Sequence, residues 1–250
     1  MEAAIVTGLL VLIRLAAVIA GLPIFATQGT PPQAVLVASV GATLVIAPTL
    51  PVVAVPPDLG TLLVAVIFEV LYGSLLSLGV RVTFTAAGFA GELMGLQMGL
   101  AMATLFDPLQ RQSTSAIGTL VAWLTGLAFL AMGLHLRVLE ILGRSFDVVP
   151  PGEISDGGPL LMDLVEIMGN HFAMGVQLAG PLLAMVFIIN VLVAILARLA
   201  PRMNVFFSVG LTATTVAGLL LIWASLPWLL TTHLGWIERA VARIALQIGV

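Results

Sequence analysis

The run AGELMGLQMGLAMATLFDP, Ala90 to Pro108, decides how this chain is read. Small residues recur at every fourth position: Ala87, Gly91, Gly95, Gly99 and Ala103. Methionine keeps the same step at Met94, Met98 and Met102. Two polar side chains, Glu92 and Gln97, sit inside the run, and Asp107-Pro108 ends it. A step of four residues turns an α-helix by 400°, so the row drifts by about 40° per repeat. Lipid gives helices no hydrophobic reason to associate, whereas small residues let two backbones approach and pack. A stripe that drifts in this way suits a helix wedged among several neighbours better than a simple pair. The methionines read first as core, their flexible thioethers filling irregular gaps.

The composition places this helix in a membrane. Of 250 residues, 60 % are hydrophobic and 8 % charged, with a mean hydropathy of +1.20. Soluble domains carry about 25 % charged residues, and a spanning helix needs about 20 mostly apolar ones. The expected fold class is an all-α, polytopic membrane protein. With no cysteine, disulfides, thiolate metal sites and cysteine nucleophiles are excluded. There is no lysine; every basic residue is arginine. A net charge of −3 without any basic run argues against a nucleic-acid partner. The opening MEAAIVTGLLVLIRL has an acid where a signal peptide carries positive charge, and Arg14 inside its apolar stretch. It reads as a retained first span.

Seven apolar segments follow one another, roughly Ala3–Leu22, Ala34–Val55, Leu59–Val80, Val82–Phe106, Ala116–Leu142, Gly169–Ala197 and Val205–Leu230. Pro- and Gly-rich links separate most of them. Arg81 alone divides the third from the fourth, so this pair is either one long bent helix or a tight hairpin, and six spans is the alternative count. Arg144 to Glu166 is the one long polar stretch and reads as a solvated loop followed by the polar first turns of a helix. The tail Gly235–Val250 is an amphipathic helix with Trp236, Ile237, Ala240, Val241, Ile244, Ala245 and Ile248 on one face. It is expected on the membrane surface or against a partner. With seven spans, one set of loops holds Arg81, Arg137, Arg144, Arg239 and Arg243 and the other Arg111, Arg198 and Arg202. That is a weak positive-inside bias favouring a cytoplasmic C-terminus.

Three charged residues lie inside apolar segments: Arg14, Glu69 and Glu92. A charge at mid-bilayer costs about 2.5–3.5 kcal/mol on insertion scales, so such residues pair, protonate or face water. Pairing of Arg14 with Glu69 or Glu92 is one reading; an acid lining an aqueous passage is the other. If one of the acids coupled proton movement, the chain would be a small secondary transporter. The segment after the Asp107-Pro108 turn, LQRQSTSAIG, is polar and short enough to fold back against neighbouring helices. His135, His171 and His233 are scattered, and no metal-ligand spacing, nucleotide-binding glycine loop or nucleophile elbow is present. No metal, cofactor or catalytic site is expected. In ARLAPRMNVF (Ala197–Phe206), Pro201 stops a helix and Asn204 starts the next, making a helical hairpin.

Together these residues resemble the FliR family of type III secretion export-gate proteins. The match is carried by Ala90-Gly91-Glu92-Leu93-Met94-Gly95-Leu96-Gln97-Met98-Gly99 with Phe106-Asp107-Pro108, and by Arg198-Leu199-Ala200-Pro201-Arg202-Met203-Asn204-Val205-Phe206. Leu134-His135-Leu136 and Arg14 with Pro23-Ile24-Phe25 fit as well. Met132-Gly133 stands where the family has Asn-Gly, and Gly210-Leu211-Thr212 lacks the family's proline. Gly95-Leu96-Gln97, where the virulence-type homologue tends to carry Asp-x-Gln, favours the flagellar branch.

The resemblance implies one export-gate domain over residues 1–250, packed in a helical hetero-oligomer. Residues 1–143 would be a FliP-like part, 144–168 a polar loop, and 169–250 a FliQ-like hairpin with the amphipathic tail. The partners implied are FliP and FliQ, with FlhB and FlhA beside them, membrane lipid, and unfolded flagellar proteins as cargo. The location implied is the bacterial inner membrane at the flagellar basal body. By position, Phe106, Asp107, Pro108, Leu109, Gln110, Arg111, Gln112, Ser113 and Thr114 fall in a channel plug that reaches to about Gly118. Gly91, Glu92, Gly95, Gln97 and Gly99 would serve helix packing and assembly, Arg14 and Glu69 a buried charge pair, and Pro201 and Asn204 the hairpin turn.

Overall fold

The computed structural model describes residues 1–23, 25, 30–54, 56, 58–100, 115–153, 158–199 and 209–247; for 159, 160, 163 and 247 it describes the backbone alone. Helices account for nearly all of it: α1 (Glu2–Gly21), α2 (Pro32–Ile46), α3 (Leu59–Gln97), α4 (Ala116–Ala131), α5 (Leu134–Val148), α6 (Gly158–Leu199) and α7 (Leu211–Gln247), with no strand among the described residues. Five are long and apolar enough to cross a membrane, or six if the α4–α5 pair is one broken span. The chain is a multi-pass, all-α membrane protein, as its composition requires.

Local chemistry sets the helix ends. Leu22, the residue before Pro23, is extended (φ −65°, ψ 138°), so α1 stops there. Pro32 opens α2, where its missing N–H is no loss. Asp58 caps α3 by accepting the N–H of Thr61 at 2.7 Å, and also accepts the Thr61 hydroxyl. Those two bonds hold the Asp58 carboxyl below its ordinary pKa. At the other end of α3, the Gly99 N–H bonds Leu96 O at 3.1 Å and the Leu100 N–H bonds Gly95 O at 3.1 Å. With Gly99 at φ +77°, this is a Schellman cap.

The structure decides one boundary that the sequence left open and moves others. Of the two readings of the third and fourth apolar segments, the single long helix holds: α3 has 39 residues. Arg81 is an exposed residue within it, because an arginine does not break a helix. α3 ends at Gln97, well before Phe106, because the helix stops where Gly99 takes positive φ. The fifth segment is two helices bent by 66° at Met132-Gly133, where Gly133 has φ +70°. The C-terminal tail is no separate helix but the end of α7, and its Ile237, Val241 and Ile244 are buried in this chain's own core. Within the polar stretch 144–168, α5 runs on to Val148 and α6 already begins at Gly158.

The chain packs as two units. One comprises Met1–Thr83, Phe129–Gly169 and Ile237–Val250, the other Phe84–Ala128 and Asn170–Trp236. The core of the first holds Leu10, Leu15, Val18, Leu76, Leu142 and Ile237 around the buried Arg14 and Glu69. The core of the second is built on Ala87, Ala90, Met94, Met98, Val121 and Leu178.

Candidate functional site

Two polar sites stand inside the apolar packing, one in each unit. In the first unit Glu69 and Gly73 lie one turn apart on α3, on the face that meets α1. A Cβ on Gly73 would stand 2.7 Å from the Arg14 carbonyl oxygen and 3.0 Å from Ala17 Cβ. The missing side chain lets the two backbones close, and the Arg14 guanidinium then reaches the Glu69 carboxylate. Nε donates to Oε2, and Nη2 donates to Oε1 at 3.0 Å. Both side chains are fully buried.

The bidentate pair leaves donors and acceptors over, and the chain leaving α5 takes them. Arg14 Nη1 donates to Val149 O at 2.8 Å and Ser145 O at 3.2 Å. These are carbonyls at the C-terminal end of α5, where a cation complements the helix dipole. Glu69 Oε1 accepts the N–H of Gly152 at 2.7 Å. Gly152 itself has φ +81°, a conformation that favours glycine. The Phe146 ring centroid is 4.3 Å and the Tyr72 centroid 5.0 Å from the guanidinium carbon. A buried charge is tolerated when it is paired and its remaining hydrogen bonds are met. Here α1, α3 and the exit of α5 are tied through one such cluster.

The second site lies where α3 crosses α4. A Cβ on Gly91 would fall 2.6 Å from Gly118 Cα, and one on Gly95 would fall 2.7 Å from Ser115 Oγ. Only glycine permits this approach. Ser115 caps α4: its Oγ accepts the Gly118 N–H at 2.9 Å and its carbonyl accepts the Thr119 N–H at 2.9 Å. The N–H of Ser115 is then left over, and Glu92 Oε1 accepts it at 2.7 Å. In an ordinary capping box an acid at the third helical position performs that task. Here that position is Gly118, kept small by the crossing, so the acid comes from the neighbouring helix.

Around this crossing the four-residue stripe meets several neighbours. Gly91 and Gly95 face α4, whereas a Cβ on Gly99 would strike Leu211 of α7. Met94 and Met98 are core, the latter against Gly218, and the Thr215 hydroxyl donates to Met98 O at 2.8 Å. Glu92 is half-buried, and Gln97 is exposed within the chain. Phe106, Asp107, Pro108, Leu109, Gln110, Arg111, Gln112, Ser113 and Thr114, expected from the resemblance in a plug, lie outside the described residues, as do Met102, Ala103, Pro201 and Asn204. No cluster of potential metal ligands occurs among the described residues.

Sequence reading had not singled out Gly73, Ser145 or Gly152, and it placed Ser115 and Gly118 only at the far end of LQRQSTSAIG, whereas they are the cap and first turn of α4. Serine before the apolar run at Ala116 is a helix-start signal that was open to view. Ser145 and Gly152 gave none, since they meet Arg14 and Glu69 only where the fold places them.

These features define a class: a multi-pass, all-helical membrane protein whose described spans are joined by glycine crossings and by the buried Arg14–Glu69 ion pair. The chain belongs to the bacterial export proteins, family 1, whose family model matches residues 5–240. It is 30 % identical over 216 residues to the flagellar biosynthetic protein FliR of Escherichia coli K12, covering 86 % of this chain and 82 % of that one. It is 31 % identical over 215 residues to the FliR of Pectobacterium carotovorum, with the same coverage of 86 % and 82 %. It is also 29 % identical over 170 residues to the Yop proteins translocation protein T of Yersinia pestis, covering 66 % of this chain and 64 % of that one. The resemblance to the FliR family drawn from the Ala90–Pro108 motif is borne out.

Proposed function

We propose that this chain is a structural and gating subunit of a flagellar type III protein-export channel. It assembles with FliP- and FliQ-like proteins, beside FlhA- and FlhB-like ones, to form the entry pore for unfolded flagellar proteins in the bacterial inner membrane. Family membership and the FliR relatives support the export role. The observation that carries the assembly is length. α3 has 39 residues and α6 has 42, so each is about 60 Å long at a rise of 1.5 Å per residue. The hydrocarbon core of a bilayer is about 30 Å thick. Half of each helix therefore needs another apolar surround, and partner helices supply it. The uncovered face of α6, with Phe187, Ile188, Val191, Leu192, Ile195 and Leu196 exposed, is available for them. The plug that the resemblance assigns to Phe106–Thr114 belongs to the same proposal.

The carrier alternative loses support at both acids. A proton-coupling carboxyl must exchange with water, but Glu69 is buried against Arg14, and Glu92 is engaged by the Ser115 N–H. Native mass spectrometry on the chain co-expressed with the FliP- and FliQ-like products of its own genome tests the proposal. The expected species is one large hetero-oligomer holding a single copy of this chain. A chain that leaves alone or as a homodimer, in detergents that keep such assemblies intact, overturns it.

A further inference from the structure

Within the first unit, α5 and the C-terminal end of α7 enclose a groove of about 390 Å³, lined by Ile141, Val241, Ala242, Ala245 and Leu246 together with Arg137 and Glu140 of α5. Its floor is apolar, and Leu246 is 75 % exposed beside it. Two opposite charges stand one turn apart at its edge. Arg137 has no ion-pair or hydrogen-bond partner among the described residues. Glu140 accepts from Arg144 Nη2 on Oε1 at 2.9 Å and keeps Oε2 uncommitted.

The depth of this groove follows from its helices. α5 carries Arg137, Glu140, Arg144 and Asp147 within 15 residues, and the adjoining turns of α7 carry Glu238, Arg239 and Arg243. Such a density of charge belongs at the headgroup level, not in hydrocarbon. Pockets between membrane helices at that level take lipid headgroups when their charges match. Arginine is suited to phosphate oxygens. An anionic headgroup would meet Arg137 but be repelled by Glu140, whereas a headgroup bearing both a phosphate and a primary ammonium satisfies both.

We propose that the groove between α5 and the end of α7 binds one aminophospholipid of the phosphatidylethanolamine type. Its phosphate sits on Arg137, its ammonium on Glu140, and the upper part of an acyl chain on Ile141, Val241 and Ala245. The test uses the full chain, purified with whatever subunits it carries and mixed with phosphatidylethanolamine or phosphatidylglycerol of identical acyl chains. Native mass spectrometry then counts the adducts. The expected result is one phosphatidylethanolamine adduct preferred over phosphatidylglycerol. Losing a charged hydrogen-bond partner should reduce its affinity about tenfold in Arg137→Gln. Arg198→Gln, on the exposed end of α6, should leave it unchanged. Ala245→Trp, which fills the floor, should remove it without touching either charge. Equal binding of the two lipids, an ethanolamine affinity unchanged in Arg137→Gln, or an adduct that survives Ala245→Trp overturns the proposal.

Discussion

At the scale of single residues, the structure turns on where charged groups find partners. Removing one member of the Arg14–Glu69 pair strands the other in the core. Arg14→Leu or Glu69→Leu alone should each cost about 3–5 kcal/mol, whereas the double replacement should cost far less than their sum. Unfolding in detergent micelles measures this, and strictly additive losses would refute the coupling. Glu92 obeys a different rule, because its task is to accept one N–H. Glu92→Gln keeps an acceptor oxygen and should leave swimming of the native bacterium close to wild type. Glu92→Leu leaves the Ser115 N–H bare and should cost about 1–2 kcal/mol of stability, read as a lower melting temperature together with reduced motility. A carrier that used Glu92 for protons would lose function in the glutamine variant too. That a buried acid would partner Arg14, with Glu69 named for it, was legible in the sequence, since a mid-span arginine demands one. The role of Gly73 was not, because it acts only by the side chain it lacks, letting α1 and α3 close together.

At the scale of helices, the glycine stripe gives the sharpest prediction. Gly91→Ala places a carbon 2.6 Å from Gly118 Cα, backbone against backbone. Overpacking of this kind costs about 1–3 kcal/mol, and thermal unfolding should report it. Gly88→Ala, one turn away with nothing within 4 Å of its added carbon, should be neutral or slightly stabilising. Equal losses at both positions would mean that the crossing is not what the stripe serves. The period and its drift were readable from sequence, and so was the need for more than one neighbour. The helix ends were harder to place. Phe106 and Arg81 looked like helix ends because the proline and the charge beside them are conspicuous, yet α3 runs through Arg81 and stops before Gly99, and α4 and α5 part at Gly133. A glycine inside an apolar run reads equally as a packing residue or as a positive-φ stop, and only the neighbours decide which.

At the scale of the whole molecule, the amphipathic tail shows how far composition can mislead. Its apolar face was rightly drawn, but what covers that face is this chain's own first unit, since nothing between Leu211 and Gln247 interrupts the helix. The weak arginine bias has a matching cause. Helices about twice the thickness of a bilayer need not alternate sides in the way that short spans do, so counting loops as inside or outside loses its basis. The second polar site also binds two helix ends into one. Leu100 is tied by its N–H to Gly95 O, and Ser115 Oγ lies 2.7 Å from where a Cβ on Gly95 would be. The close of α3 and the opening of α4 therefore share a single anchor, and a side chain added at Gly95 would move a helix stop and a helix start together.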